Sequence, residues 1–307
     1  MTRARPFPTE QGILAFHRCC EEFYPADAVD APIVQQRRWY DALCAEFDAP
    51  TPEGLVKADG MVAGRVPVRR YRPAGIRTAA LLLYIHGGGF VVGSLASHDA
   101  ICAEISHAAG AELISIDYRL APEHVWPAAF KDCRDVLLSL LNEKRPIVVI
   151  GDSAGGNLAA GLAIMARDER ISGLAGQVLI YPGLGGDLVS GSYEAMSEAP
   201  GLTTADVRYY RGVLRAPAGD PYAFPLAAQD FSGLPPAYVT GAFFDPLRDD
   251  ARFYAARLAE AGVDVEYREE PQMIHAWLRA RHMSEGAREG FGALCAAVAR
   301  MAGSKDA

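Results

Sequence analysis

The residues best placed for chemistry are in one decapeptide, Val148-Val149-Ile150-Gly151-Asp152-Ser153-Ala154-Gly155-Gly156-Asn157. The β-branched run over 147–150 reads as a buried strand. Gly151 ends it, and Leu158, Leu162 and Met165 then recur at helical spacing. Gly151-x-Ser153-x-Gly155 between a strand and a helix fits a nucleophile elbow, a strained turn that thrusts a serine hydroxyl out of the backbone. A side chain at either glycine would strike the neighbouring strand or helix. The following helix aims its unpaired N-terminal N–H groups at the same place. A glycine-rich turn with an incidental serine is the plainer alternative, and the strand-before, helix-after context argues against it.

A serine hydroxyl is a weak nucleophile at neutral pH. It needs a base to take its proton, and the base needs an acid to hold its tautomer. In an α/β sheet such groups gather beyond the carboxyl ends of the strands. They should follow the serine in the order Ser, Asp, His. Downstream of the elbow lie two histidines, His275 and His282. His275 follows the last expected strand and is the better base. His282 stands among Arg279, Arg281 and Glu285 and reads as a solvated surface residue. Of Asp245, Asp249 and Asp250, Asp245 stands at the strand tip just before Pro246 and is the preferred acid. Asp249, about one helical turn later, would instead brace or cap the helix there.

The tetrahedral intermediate of acyl transfer needs donors for its oxyanion. His86-Gly87-Gly88-Gly89-Phe90 follows a strand over 81–85, and its backbone can approach a reacting carbonyl closely. Gly88, Gly89 and Ala154 are assigned as the three donors, and His86, on the strand side of the glycines, as structural. A phosphate loop is excluded, because no Gly-x-x-x-x-Gly-Lys occurs and Val92 stands where a G-x-G-x-x-G run from Gly87 would need its last glycine. His-Glu-x-x-His and close His/Cys spacings are missing, so no metal and no cofactor are expected. Phe90, Tyr209 and Trp277 are candidates for the substrate pocket.

The elements that must position these groups follow from periodicity. Strands at 66–72, 81–85, 112–116, 147–150, 177–181, 237–240 and 263–267 alternate with helices at 101–109, 128–141, 251–261 and 287–301. This order implies a largely parallel sheet with helices on both faces, an α/β fold. Two breaks stand out. Ile13, Leu14, Phe16, Cys20 and Phe23 can share one helical face, and Tyr40, Leu43 and Phe47 another, so residues 1–50 form a helical segment. It is either a packed appendage or a cover for a site built elsewhere. About forty residues after Pro182 are more than a plain connector requires, so 183–225 read as an inserted lid or cap. Thr203-x-x-Asp206 would open a helix there, by analogy with a capping box. The catalytic domain is then 51–182 with 226–307.

Composition narrows the partners. The chain has 307 residues, 50% of them apolar, and a net charge of −8. No Lys/Arg cluster stands out, so nucleic acid is not an expected partner. The longest apolar runs, such as 79–85, are too short to span a bilayer, and the polar start offers no signal-peptide core. The six cysteines are scattered with no C-x-x-C pair and read as reduced thiols of a cytoplasmic protein. The last strand, as a free edge, suits a homodimer by edge pairing. The tail from Gly303 reads as disordered.

Taken together, the chain resembles the hormone-sensitive-lipase-like bacterial carboxylesterases of the α/β-hydrolase superfamily. The resemblance rests on His86-Gly87-Gly88-Gly89-Phe90, Asp117-Tyr118-Arg119-Leu120-Ala121-Pro122-Glu123-His124, Gly151-Asp152-Ser153-Ala154-Gly155-Gly156 and Asp245-Pro246-Leu247-Arg248-Asp249. It covers residues 65 to 300. It implies a Ser153-Asp245-His275 triad, a cap made from the N-terminal helices plus the insertion, and hydrolysis of small to medium acyl esters through an acyl-enzyme. Amide or formamide hydrolysis by the same triad and a non-catalytic ligand receptor are the other readings, and the presence of His275 argues against the receptor. The 118–124 stretch is expected to be scaffold beneath the oxyanion loop. The chain departs from the family at Ala276, where glycine is usual after the base, and in a weakly matched N-terminal part.

Overall fold

Two helices, α1 (Gln11–Phe23) and α2 (Ile33–Glu46), open the fold, and α1 buries Ile13 and Phe16 as its apolar spacing requires. The computed structural model describes residues 7–25 and 27–303, so the tail beyond Gly303 lies outside the described residues. An antiparallel pair follows, β1 (Val56–Val62) and β2 (Val66–Arg72). Strands and helices then alternate: β3 (Leu81–Ile85), α3 (Asp99–Ala109), β4 (Glu112–Ile116), α4 (Ala128–Leu141), β5 (Ile147–Asp152), α5 (Ala154–Asp168) and β6 (Leu174–Ile180). The insertion carries α6 (Gly191–Ala195) and α7 (Thr204–Leu214). The alternation resumes with β7 (Ala237–Phe244), α8 (Arg248–Glu260) and β8 (Val265–Ile274). It closes with a 3₁₀ turn (Trp277–His282) and α9 (Glu285–Met301).

The eight strands form one sheet in the order β1-β2-β4-β3-β5-β6-β7-β8, antiparallel at β1, β2 and β4 and parallel from β4 to β8. The expected α/β architecture is therefore the observed one. Strands β3, β4 and β5 are buried along their whole length, which explains their apolar runs, because helices cover both faces. Side chains alternate between the faces. Leu82 and Tyr84 pack with α1, α3 and α9, whereas Leu81, Leu83 and Ile85 pack with α4, α5 and α8.

Both site-bearing strands run further than their periodicity predicts. β7 continues to Phe244 and delivers Asp245, and β8 continues through Arg268, Glu269 and Glu270 to deliver His275. The charges in β8 are matched locally: buried Glu270 accepts from Arg268 Nε at 2.6 Å, and Glu269 pairs with Arg252. The capping box of α7 forms as expected. Asp206 N–H donates to Thr203 Oγ1 at 3.1 Å and Thr203 N–H to Asp206 Oδ2 at 2.8 Å.

Candidate active site

Ser153 joins β5 to α5 with φ 53° and ψ −117°, a conformation a non-glycine residue adopts only when its surroundings enforce it. The flanking glycines are enforced by space. A Cβ on Gly155 would collide with the Ile85 carbonyl, and one on Gly151 with the Gly155 carbonyl. The turn therefore presses α5 directly against β3 and lifts the serine above the strand end.

Three loops meet over this serine. His275 Nε2 lies 2.9 Å from Ser153 Oγ, and His275 Nδ1 lies 2.7 Å from Asp245 Oδ2. With Nδ1–H donating to the carboxylate, Nε2 is left as the acceptor for the serine proton. Asp245 is fully buried, and its other oxygen accepts the Leu247 N–H at 2.8 Å, which fixes the plane of the carboxylate. The Tyr181 ring meets the imidazole edge-on at 4.9 Å. The alternatives stand elsewhere. His282 is exposed and 3.1 Å from Glu104, while Asp249 accepts the Ser192 N–H at 2.8 Å and so braces the insertion as well as its own helix. Asp250 accepts from the N–H groups of Leu184 and Gly185 and from the Tyr193 hydroxyl, and burial pushes its carboxyl up to about 6.

In the glycine loop the carbonyls are tied down. Gly88 O accepts from Val91 and Val92 N–H, Phe90 O accepts from Ala121 N–H, and Gly87 O lies 2.8 Å from His86 Nδ1. Gly87 N–H donates to Asp152 Oδ1 at 3.0 Å. Among the described residues, Gly88, Gly89 and Ala154 donate their N–H groups to no protein acceptor, and all three line the cavity that holds Ser153 and His275. Gly88 and Gly89 have φ of 121° and 60°, and a Cβ at Gly89 would run into the Tyr210 ring. Tyr118 is scaffold, as expected: its hydroxyl donates to His86 O at 2.8 Å and its ring stacks on His86 at 4.3 Å.

Burial pushes His86 down to about 3, so the ring stays neutral inside the fold while an unfolded histidine titrates near 6.5. The unfolded chain therefore binds the extra proton, and this contribution is complete above 6.5 and lost as pH falls towards 3. His98, pushed down by burial, acts in the same direction. Asp250, pushed up by burial, opposes them: its contribution is present below the ordinary carboxylate value and lost as pH rises through about 6. The two depressed histidines act together against the one raised carboxyl, so stability falls as pH drops below the ordinary histidine range. Urea unfolding at several pH values should show that decline, and His86→Phe, which keeps the ring stack, should flatten it.

The cavity measures about 510 Å³. Phe90 lines it, as the sequence suggests, but two pocket candidates are corrected. Tyr209 turns towards α2, where its hydroxyl accepts from Gln36 Nε2 at 3.0 Å, and Tyr210, the next residue, faces the cavity instead. Trp277 is fully buried and packs edge-on against Tyr181 at 6.0 Å, outside the cavity lining. Tyr40, Tyr181 and Phe224 line the cavity and went unrecognised in the sequence, because Tyr40 and Tyr181 sit in runs whose apolar pattern already reads as core and Phe224 lies in the insertion, where no periodicity singles it out. Ala276, the departure from the family pattern, lines the cavity beside the base in the left-handed conformation with φ 62°.

The profile of a family described as having the α/β-hydrolase fold matches residues 82–279. The chain belongs to the α/β-hydrolases, in their hormone-sensitive-lipase-like branch. This hydrolase is 35% identical over 292 residues to the carboxylic ester hydrolase LipN of Mycobacterium tuberculosis, covering 88% of this chain and 77% of that one. It is 37% identical to carboxylesterase NlhH of the same organism, covering 81% and 82%. Among solved structures, the ester hydrolase EH1AB1 from the Lake Arreo metagenome superposes on it with a TM-score of 0.87 at 30% identity, covering 96% of this chain and 99% of that one. An esterase from the bacterial hormone-sensitive lipase family superposes with a TM-score of 0.86 at 25% identity, covering 95% and 99%. Among the described residues no helix of the hydrolase is long and apolar enough to cross a membrane.

Proposed function

We propose that Ser153, His275 and Asp245 are the nucleophile, general base and acid of a serine carboxylesterase that takes small to medium acyl esters. The observation that carries this reading is the unbroken relay from Ser153 Oγ through His275, at 2.9 Å and 2.7 Å, to the buried Asp245. Ser153 attacks the ester carbonyl as His275 takes its proton. The oxyanion is received by the N–H groups of Gly88, Gly89 and Ala154. The C–O bond to the alcohol then breaks, and His275 returns its proton to the departing oxygen. Water, deprotonated by the same imidazole, attacks the acyl-enzyme and releases the acid. The relatives named carboxylesterase, arylesterase (Saccharolobus solfataricus) and ethyl acetate hydrolase (Pseudomonas putida) support esters as the substrate class. A cavity of about 510 Å³ lies within the usual range for enclosing a small organic ligand, about 300–1,000 Å³.

In the same reading, residues 1–50 and 183–225 form a cap over a catalytic domain made of 51–182 and 226–307. Gln36 and Arg37 on α2 support this. Gln36 joins α2 to Tyr209 of the insertion, and Arg37 Nε donates to Val91 O of the oxyanion loop at 2.9 Å. A cytoplasmic setting agrees with six unpaired cysteines, and a homodimer would use the edge strand β8. The deciding experiment is labelling with a fluorophosphonate probe followed by peptide mapping. The probe is expected on Ser153, and a folded protein that stays unlabelled would sink the assignment and revive a ligand receptor. Matched ester and anilide substrates then test selectivity, with faster turnover expected for the ester.

A further inference from the structure

Part of the cavity wall is a second set of largely buried polar groups, Tyr40, His98, Asp152 and Arg279, to which the reaction above gives no task. Arg279 stands on the 3₁₀ turn just beyond His275 and is almost wholly buried. Its Nη1 donates to Ser97 O at 2.8 Å, and its Nη2 donates to the Tyr40 hydroxyl at 3.0 Å. Nη2 also lies 3.3 Å from His98 Nε2, and the guanidinium sits over the Tyr40 ring, 5.4 Å from its centroid. His98 Nε2 also stands 3.3 Å from Asp152 Oδ2, and since one ring nitrogen either accepts from Arg279 or donates to Asp152, the other of these two contacts is a close approach without a shared proton. Asp152 Oδ1 accepts the Tyr84 hydroxyl at 2.8 Å and the Gly87 N–H at 3.0 Å. One continuous chain of polar contacts thus runs from α2, through the turn beyond the base and the start of α3, to the residue before the nucleophile and on to the oxyanion loop.

Packing alone does not account for this chain. A guanidinium and a carboxylate taken out of water are costly to bury, and a hydrocarbon filler would hold the same volume more cheaply. What a guanidinium adds is a rigid planar fork, so that moving one acceptor displaces the others. We propose that Arg279 is a positioning residue that transmits the seating of Tyr40 on α2 to Asp152, and through Asp152 to the oxyanion loop and the serine turn. The inference rests on Ser153 being the nucleophile. When α2 shifts, Tyr40 leaves the fork, Arg279 can rotate, and His98 and Asp152 lose their register. Gly87 N–H is then no longer held, and Gly88 and Gly89 move with it. A seated α2 and a formed oxyanion loop are linked equilibria, and the linkage acts in both directions.

The test uses ethyl acetate, whose small groups need no contact with the helices over the cavity. Turnover is followed by acid release for the parent, Tyr40→Phe, Arg279→Met, Arg279→Lys and the double variant Tyr40→Phe/Arg279→Met. Tyr40→Phe, which removes one hydroxyl, is expected to lower kcat about fivefold and leave KM within about twofold. Arg279→Met is expected to lower kcat about 10²-fold, and Arg279→Lys to recover part of that loss. The double variant should be no slower than Arg279→Met alone, because both changes break the same chain. Thermal melts check folding, and if Arg279→Met does not fold, Arg279→Lys takes its place in the cycle with the same expected non-additivity. Losses that multiply, or a Tyr40→Phe effect confined to KM, would overturn the inference. Fluorophosphonate labelling of the parent is read alongside. An unlabelled parent removes the nucleophile assignment and this inference together, whereas a labelled parent with multiplying losses removes only the role given to Arg279.

Discussion

Ser153→Ala is expected to lower kcat for p-nitrophenyl butyrate by about 10⁶-fold, the scale at which serine hydrolases respond to loss of the nucleophile. KM should change little, since the cavity walls and the glycine loop that hold the ester remain. The residual rate should still exceed that of the uncatalysed reaction by about 10³–10⁴, because the oxyanion donors are backbone groups that the substitution leaves in place. The structural cost should be small. Ser153 is held in its strained conformation by the contacts of Gly151 and Gly155, and alanine fits the same backbone. Steady-state kinetics on protein with an unchanged melting temperature checks this, and parental turnover by the variant would refute the mechanism.

The second large effect is expected at Asp245. Asp245→Asn should lower kcat about 10⁴-fold at neutral pH. The reasoning is geometric. One oxygen of Asp245 already accepts the Leu247 N–H, and the other faces His275 Nδ1 at 2.7 Å. An asparagine would keep its carbonyl on Leu247 and turn its NH₂ group towards Nδ1. The imidazole would then carry its proton on Nε2, where it can no longer accept the proton of Ser153. Binding should survive, so the loss belongs in kcat. Asp249→Asn is the control. That carboxylate contacts Ser192 and its own helix, not the imidazole, and its loss should cost activity far less. Comparable losses at the two positions would mean that the acid has been misassigned.

The sequence discloses the central sheet and the three site loops because their signals are local. Gly151 and Gly155 are dictated by the backbone of the turn itself, and the glycines after His86 by their close approach to Val92 and Tyr210. Asp245 and His275 follow from chain order and strand ends. What escapes is decided by the tertiary fold. β1 is largely exposed and carries Lys57, Asp59 and Gly60, so no alternation betrays it. Tyr209 and Tyr210 are neighbours with one side chain type, and only the docking of α7 on α2 sets which of them faces inward. Trp277 reads as a pocket wall because it follows the base so closely, yet the 3₁₀ turn rotates it into the core against Tyr181. The chain from Tyr40 to Asp152 joins residues more than a hundred positions apart, and no local pattern announces it.

Ala276 has a consequence for how this hydrolase can change. Its left-handed backbone costs an alanine about 1 kcal/mol that glycine would not bear, and its methyl group forms part of the wall next to the imidazole. Every alanine codon becomes a glycine codon through a single change at its second base. Variants with more space beside the base, and with a relaxed backbone as partial offset to the lost methyl contact, therefore lie one mutational step away. A population under selection for bulkier esters would be expected to find that position early.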